Sequence, residues 1–266
     1  MPVRRCCSPP TSSTAPCAWP PGTSRSPAAR SPPTTDRGSP WRPTVLRDAL
    51  LVAGKDLRIE LRSKVTAGQI LPFALLVLVL FAFALDPDGP ALERATPGLY
   101  WVAVLFVTVL AVERSFSLES GDGVRDALRL AGLAPGGVFL GKFAALAVQL
   151  LVVQAVLMVG VVVLFGRDLS APLLLLGTSV AATAGIGAAG TLYGVLAAGL
   201  RVRETLLPFL LLPVLAPVLI GATRAFEAAL DGVPSDGWPW FNLLAVFALV
   251  YTGVGILTFG SLLEES

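Results

Sequence analysis

Residues 150–165 read LLVVQAVLMVGVVVLF, and Gln154 is the one polar side chain in this stretch. A strand of a membrane barrel alternates apolar and polar residues over about ten positions, whereas this stretch is apolar on every side. It therefore predicts a helix surrounded by apolar groups. The composition of the whole chain places that helix in a lipid bilayer, because 54% of the residues are hydrophobic and 14% are charged.

Five further segments share this character. A helix needs about 17 to 25 mostly apolar residues to cross roughly 30 Å of hydrocarbon. Six segments meet that requirement, and they span residues 69–85, 97–113, 138–165, 171–198, 204–223 and 238–263. The sequence therefore predicts an all-α polytopic membrane protein with six transmembrane helices.

Positive charge is distributed unevenly between the two sides of these predicted spans. With a cytoplasmic N-terminus, twelve Lys and Arg residues fall on the inner side and three, Arg94, Arg167 and Arg224, on the outer side. Because cytoplasmic loops are enriched in Lys and Arg, both termini are predicted to be cytoplasmic. The net charge of +2 gives no indication of a nucleic-acid partner.

Four aromatic residues fall at the predicted outer interface. Tyr100 and Trp101 open the second span, and Trp238 and Trp240 open the sixth. Trp and Tyr commonly anchor helices at the membrane surface, so we interpret these rings as interface anchors. An outward-facing ligand site floored by the same rings is the alternative.

Residues 1–43 have a different composition from the rest of the chain. They hold 11 of the 22 prolines and all three cysteines, and they show no apolar periodicity. Such a segment cannot bury enough surface to offset the entropy of ordering it. We predict a disordered Pro/Ser-rich extension in which the cysteines are incidental. An extension from a misplaced start codon would have the same appearance.

Residues 44–64 predict an amphipathic helix before the first span. Leu46, Leu50, Ala53, Leu57 and Leu61 recur at spacings of four and three, and charged residues occupy the rest of the helix surface. This pattern is typical of a helix lying in the cytoplasmic membrane interface. A helix packed against a partner protein would have the same pattern.

The loop between the second and third spans carries the candidate functional residues. Asp122 and Gly123 offer a helix start, and apolar residues including Leu128 form one face of a short helix near 122–131. Such a helix suits the docking of a motor protein, because a rigid lever transmits motion; a simple interfacial connection is equally compatible with the spacing. Glu113, at the membrane edge, requires water or a cation such as Arg114 or Lys142.

The fourth predicted span is rich in small residues. Gly190 and Gly194 are in G-x-x-x-G register, and Gly185 is spaced likewise with neighbouring alanines. Small residues let helix backbones approach closely, so this span is predicted to be central to helix packing. The spacing fits packing within one chain or at a dimer interface.

Three prolines interrupt the fifth predicted span, at Pro208, Pro213 and Pro217. Each removes a backbone hydrogen-bond donor and presses on the preceding turn, which predicts a bent or broken helix. Bent spans suit a transporter that exposes its substrate to the two sides in turn, but prolines are also common in membrane helices generally.

The chain lacks several groups that other membrane proteins use for chemistry. It contains no histidine, no G-x-x-x-x-G-K-[ST] phosphate loop, and no Asp, Glu, Lys or Arg in the middle of a predicted span. A secondary transporter usually has ionisable groups at that depth, and a membrane enzyme needs a reactive cluster. We therefore expect no catalytic residue, no metal site and no directly bound cofactor.

Several motifs together resemble the haem exporter protein B (CcmB) family over roughly residues 45–263. They are PGLYWVA from Pro97, ER-x-F at Glu113 to Phe116, the pair Asp122 and Gly123, Lys142 at the start of the third span, and LLPFLLLPVLAP from Leu206. The sequence departs from the family in having Ala134 where a leucine usually precedes Pro135, and in its N-terminal extension.

The resemblance implies a permease subunit of an ABC transporter of the ABC-2 type in the bacterial inner membrane. It implies a homodimeric or assembled permease with an ATPase subunit on the cytoplasmic face. A haem-handling membrane protein and a periplasmic haem chaperone are the other implied partners, with haem as a transported or handled ligand. By this resemblance Glu113, Arg114, Phe116, Asp122, Gly123, Leu128 and Lys142 are the candidates for coupling to the ATPase. An ABC-2-type permease for another substrate and a secondary transporter are the alternatives.

Overall fold

The computed structural model describes residues 43–85, 90–117, 134–166, 169–198 and 203–265, all of which lie in the compact unit Ser39–Ser266. Within these ranges the chain forms seven α-helices and one π-helical turn, Thr66–Ile70, and no strand. The helices are α1 (Pro43–Ser63), α2 (Leu71–Ala84), α3 (Pro90–Ser117), α4 (Pro135–Phe165), α5 (Pro172–Ala198), α6 (Arg203–Leu230) and α7 (Pro234–Glu265).

Six of these helices are long and apolar enough to cross a membrane. The candidate spans are Thr66–Ala84, Pro90–Phe116, Pro135–Phe165, Pro172–Ala197, Leu206–Leu230 and Pro234–Ser261. The prediction of an all-α polytopic membrane protein with six transmembrane helices is confirmed.

Successive spans run in opposite directions, which gives the bundle two ends. The α1 end contains α1, the last turns of α3 and α5, and the first turns of α4 and α6. The far end contains the opposite termini. There the Ser170 hydroxyl donates to the Leu230 carbonyl at 3.3 Å, and Gly237 of α7 packs against Leu174 of α5.

Helix α5 lies at the centre of the bundle and packs against α3, α4, α6 and α7. Its small residues make these contacts possible. A Cβ atom on Gly185 would lie 2.9 Å from the Phe247 ring, and one on Gly190 would lie 2.8 Å from Val112. At Gly194 a Cβ would overlap the Phe116 ring. Side chains of the same chain therefore cover all three glycines, and the assignment of these glycines to helix packing within one chain stays a prediction.

Left-handed backbone marks three connections. Gly166 (φ 61°) ends α4, and Gly232 (φ 74°) lies in the turn between α6 and α7. Lys64 (φ 54°) lies between α1 and the π-helical turn, and it is the one non-glycine residue with positive φ in the described ranges. A side chain is disfavoured in this conformation, so the turn out of α1 must be held by neighbouring contacts.

Helix α6 contains Pro208, Pro213 and Pro217 within one continuous helix. The prediction of a broken span is therefore wrong, because the flanking turns maintain the helical path around each missing donor. Bending of this helix stays a prediction.

Apolar side chains cover much of the bundle surface. On α2, Leu76 and Leu80 are each 60% exposed, and on α7 Leu249 is 74% exposed. Exposure on this scale is costly in water, so these faces are suited to contact with acyl chains.

Candidate functional site at the α1 end

Helix α1 packs along the first half of α4 rather than crossing it at one point. A Cβ on Gly137 would lie 3.0 Å from the Val45 carbonyl, and one on Gly141 would lie 2.7 Å from the Ala49 carbonyl. These glycines give the two helix backbones room to approach closely. The side chains that α1 buries here are small, since Ala49 and Val52 are 7% and 4% exposed.

Three of the four leucines of the predicted α1 stripe are exposed and do not form this contact. Leu46 and Leu50 are each 67% exposed, and Leu61 is 75% exposed. Each helical residue advances by about 100°, so the centre of the stripe lies roughly a third of a turn away from the side that meets α4. Helix α1 thus has one face packed on the bundle and, beside it, a stripe in which Leu46, Leu50 and Leu61 are exposed while Ala53 is buried and Leu57 is half-buried.

Lys142 joins α1, α3 and α4. Its side chain is 4% exposed, and its Nζ lies 3.8 Å from Asp56 Oδ2 of α1 and 5.0 Å from the centre of the Phe116 ring of α3. The ammonium group therefore has a carboxylate on one side and an aromatic face on the other, two arrangements that stabilise a cation away from water. Phe116 packs in turn on Gly194 of α5, so four helices meet around this lysine.

Glu60 makes a second set of contacts between α1 and the spans. Its Oε1 accepts the backbone N–H of Thr66 at 3.0 Å and also the Thr66 hydroxyl. Its Oε2 accepts from Arg114 Nε at 3.5 Å. The Thr66 hydroxyl also accepts from Gln149 Nε2 of α4 at 2.7 Å. Glu60 therefore fixes the turn at Lys64 and connects it, directly, with the end of α3 and, through Thr66, with the middle of α4.

The last turn of α3 and the residue that precedes α4 both contact α1. In the last turn of α3, Arg114 pairs with Glu60. Just before α4, the backbone N–H of Ala134 donates to Asp48 Oδ2 at 3.2 Å. We name Asp48, Glu60, Arg114 and Ala134 the loop clamp, because through these residues α1 is joined to the end of α3 and to the start of α4.

Three of the predicted coupling residues lie outside the described residues, namely Asp122, Gly123 and Leu128. The other four, Glu113, Arg114, Phe116 and Lys142, all lie at the α1 end. Glu113 and Arg114 also line a cavity of about 660 Å³ between α2, α3, α5 and α6, whose other walls include Phe73, Leu110 and Leu207. The cavity is apolar apart from Gln69 and this charged pair of neighbours.

The outer-interface prediction is wrong for two of its four rings. Tyr100 and Trp101 are each 1% exposed and pack inside the bundle. Phe226 of α6 stacks on Tyr100 with ring centres 4.7 Å apart and meets Trp101 edge-on at 5.8 Å. An interface anchor must reach lipid, whereas these rings fill space between helices. Trp238 is 42% exposed and Trp240 is half-buried, and for these two the interface role stays a prediction.

The sequence reasoning missed the acidic residues of α1. Asp48, Asp56 and Glu60 recur at spacings of eight and four, which places them on the α4-facing side of the helix. That spacing was visible in the sequence, but the leucine stripe dominated the hydrophobic pattern. In the described part of the chain, no group of three or more His, Cys, Asp or Glu residues is arranged to hold a metal ion.

Six spans, together with an N-terminal helix held to them by charged groups, define a polytopic membrane protein with a specialised polar end. Comparison with known proteins identifies it more closely. The profile of a family described as CcmB protein matches residues 47–265. The chain belongs to this CcmB family, and the resemblance seen in the sequence is confirmed.

Individual relatives agree with the family profile. The chain is 33% identical to heme exporter protein B of Pseudomonas aeruginosa over 216 residues, which cover 77% of this chain and 93% of the relative. It is 35% identical to heme exporter protein B of Haemophilus influenzae over 71% of this chain and 85% of the relative. For the protein of the same name from Escherichia coli K12, the identity is 32% over 76% of this chain and 90% of the relative.

Proposed function

We propose that this chain is the membrane-spanning subunit of an ABC transporter that exports haem or releases a haem chaperone during c-type cytochrome maturation. A separate ATP-binding chain would supply the energy, since the sequence has no phosphate-binding loop of its own. The names of the relatives support the link to haem. The loop clamp is the observation that carries the proposal, because it gives a partner at the α1 end a mechanical connection to the spans.

The α1 end faces the cytoplasm of a bacterial inner membrane in this proposal, and both termini lie on that side. The distribution of twelve Lys and Arg residues against three supports this orientation. The exposed leucines Leu46, Leu50 and Leu61 would rest among the lipid acyl chains at the membrane surface. Labelling of a cysteine placed at Ala127 by a reagent applied from outside the cell would contradict this orientation.

The length of α4 supports a position for Lys142 outside the hydrocarbon. The helix has 31 residues, and at about 1.5 Å per residue it is roughly 46 Å long, which exceeds the roughly 30 Å of the bilayer core. About ten residues therefore extend beyond the core unless the helix tilts strongly. The first turns of α4, which pack on α1, are the part that extends.

Motion of a bound ATPase would reach the spans through the residues at the α1 end. The connecting segment before Ala134 is the proposed docking element, and the loop clamp ties the end of α3 and the start of α4, on either side of it, to α1. Lys142 and Phe116 then connect α1 to α5 through the contact with Gly194. In this arrangement Glu113, Arg114 and Lys142 act as coupling residues, and none of them performs chemistry.

Haem iron in this proposal is ligated by other proteins. Haem ligands in proteins are His, Cys, Met or Tyr. This chain has no histidine and only Met158 as a methionine beyond Met1, and its three tyrosines, Tyr100, Tyr193 and Tyr251, are buried or half-buried. Its cysteines, Cys6, Cys7 and Cys17, all precede α1. A haem-handling membrane protein and a periplasmic haem chaperone would therefore hold the iron. A second copy of the permease would complete the membrane part of the complex.

The experiment is a purification of the tagged full chain from membranes, followed by measurement of ATPase activity. We expect an ATP-binding protein to copurify and hydrolyse ATP. In the Glu60→Gln variant the ATPase should stay bound. The stimulation of its ATPase activity by the permease should fall about five- to tenfold, the usual size of a coupling effect. Asp236→Asn is the matched control, because it removes an exposed carboxylate at the far end.

Two outcomes would contradict the proposal. Absence of any ATP-binding protein from the purified complex would exclude the ABC transporter assignment. Equal ATPase activity in the Glu60→Gln and Asp236→Asn complexes would exclude the loop clamp as the mechanical connection.

Glu113→Ala and Asp122→Arg are likewise expected to lower the yield of c-type cytochromes while leaving membrane insertion intact, and normal yields in both would refute their coupling role.

A further inference from the structure

A second cavity lies at the far end of the bundle, between α3 and α6. Its volume is about 470 Å³, and its lining includes Gly98 and Trp101 of α3 and Ile220 of α6. It is separate from the cavity at the α1 end and shares no lining residue with it. The proposed coupling mechanism does not use it.

The charged residues that line this cavity have a net positive charge. Arg94, Arg224 and Glu227 line it, and Arg224 Nη1 pairs with Glu227 Oε2 at 2.9 Å. Arg94 is exposed and forms no ion pair with any other described residue. Since Glu227 neutralises one of the two lining arginines, the positive charge of Arg94 remains. That charge favours an anionic ligand.

Beyond these charged residues the cavity continues into an apolar stripe on α3. Val102, which lines the cavity, is 38% exposed, and Phe106 one turn further is 47% exposed. On the α6 side, Ile220 is 58% exposed. The cavity is therefore open towards the apolar surface of the bundle, which in a membrane is occupied by acyl chains.

The spacing of charge and stripe corresponds to one lipid molecule in one leaflet. Arg94 and Phe106 are twelve residues apart on the same helix, which is about 18 Å at 1.5 Å per residue. Half of the bilayer core is roughly 15 Å thick. A phosphate held at Arg94 would therefore leave an acyl chain lying along Val102 and Phe106.

We propose that this far-end cavity binds one anionic glycerophospholipid, with its phosphate at Arg94 and one acyl chain along Val102, Phe106 and Ile220. Phosphatidylglycerol has the required chemistry, because its headgroup carries a single negative charge and no ammonium group. The lipid would fill the gap between α3 and α6 at their far ends. This inference does not depend on the ATPase partner, so either proposal can fail without the other.

The test is lipid titration of the delipidated full-length chain, followed by native mass spectrometry. We expect one phosphatidylglycerol to bind per chain, more tightly than phosphatidylethanolamine with the same acyl chains. A basic residue near the headgroups contributes about 1 kcal/mol, so Arg94→Gln should weaken phosphatidylglycerol binding about fivefold. Arg47→Gln, which removes an exposed arginine on α1, is the matched control and should leave binding unchanged.

A second variant tests the apolar part of the cavity. Ile220→Trp fills the space beside the stripe at an exposed position, so the fold should be retained and binding of both lipids should fall. Equal phosphatidylglycerol affinity in the wild type and in Arg94→Gln would overturn the proposal. Displacement of the lipid by millimolar inorganic phosphate would assign the cavity to a small anion instead, and stoichiometric displacement by haem would assign it to the cargo.

Discussion

Both ends of the bundle contain packed rings, including Phe139 and Phe259 at the α1 end, but the two ends differ in whether charged groups join one helix to another. At the α1 end, charged groups connect the helices, with Lys142 beside Asp56 and Arg114 beside Glu60. At the far end, Tyr100, Trp101 and Phe226 pack ring against ring, and the ion pair described there, Arg224 with Glu227, lies within one helix.

This difference indicates which end of the bundle can change shape. A partly exposed ion pair such as Arg114 with Glu60, whose side chains are 25% and 18% exposed, can be exchanged for water or for a partner's charge at modest net cost, because hydration replaces much of what is lost. Interlocked rings lose their packing contacts when they separate, and nothing in lipid replaces those contacts closely. The far end is therefore the fixed part of the bundle in our proposal, and the α1 end is the part that responds to a partner.

The largest expected effect tests the far end. Phe226→Ala removes a fully buried ring and should lower the free energy of unfolding by about 3 kcal/mol, since the gap cannot be refilled. Phe209→Ala on the same helix is the matched control, because that ring is 69% exposed, and it should cause little change. Denaturation of both variants in detergent micelles measures the difference. Similar losses of unfolding free energy in the two variants would show that the ring cluster does not contribute specially to stability.

A smaller effect is expected where the α1 end meets the centre of the bundle. Gly194→Ala places a methyl group in the position of the Phe116 ring, which should cost about 2 kcal/mol through displacement of that ring. Gly253→Ala has open space around it and should be neutral or slightly stabilising. Thermal unfolding of the two variants compares them. Unchanged stability in Gly194→Ala would mean that Phe116 does not require this contact.

The smallest effect concerns the ion pairs at the α1 end. Lys142→Met should lower the free energy of unfolding by about 1 kcal/mol. This loss is smaller than that for a deeply buried ion pair, because the Asp56 side chain is 17% exposed. Lys55 pairs with the same carboxylate at 3.1 Å but is 42% exposed, so Lys55→Met should cost less than about 0.5 kcal/mol. Added salt should reduce the effect at Lys55 more than that at Lys142. A larger loss of stability in Lys55→Met than in Lys142→Met would contradict the conclusion that Lys142 acts as a buried cation.

Hydropathy was sufficient to predict the six spans, because an apolar run of that length has few alternatives. It did not predict how far the helices extend beyond the apolar runs. Helix α3 begins at Pro90 rather than near residue 97, since charged residues such as Glu93 and Arg94 do not end a helix once they lie outside the hydrocarbon.

The contacts of the candidate site were only partly predictable. Glu113, Arg114, Phe116 and Lys142 were identified from the family resemblance, and the structure brings them to one end of the bundle. The packed face of α1 was missed because small and acidic residues such as Ala49 and Asp56 produce no hydrophobic stripe. The burial of Tyr100 was also missed, since a ring at the end of an apolar run has the same sequence pattern whether it faces lipid or a neighbouring helix.

The packing of α1 on α4 has a consequence for synthesis of the protein. The ribosome makes α1 first, but the glycines that receive it, Gly137 and Gly141, emerge later. The chain between Ser63 and Pro135 takes roughly 4 to 14 s to translate at about 5 to 20 residues per second. During that interval α1 lacks the α4 surface on which it packs, and its exposed leucines require contact with the membrane surface or with a chaperone. Nascent chains arrested before α4 emerges should therefore be the most easily degraded intermediates of this protein.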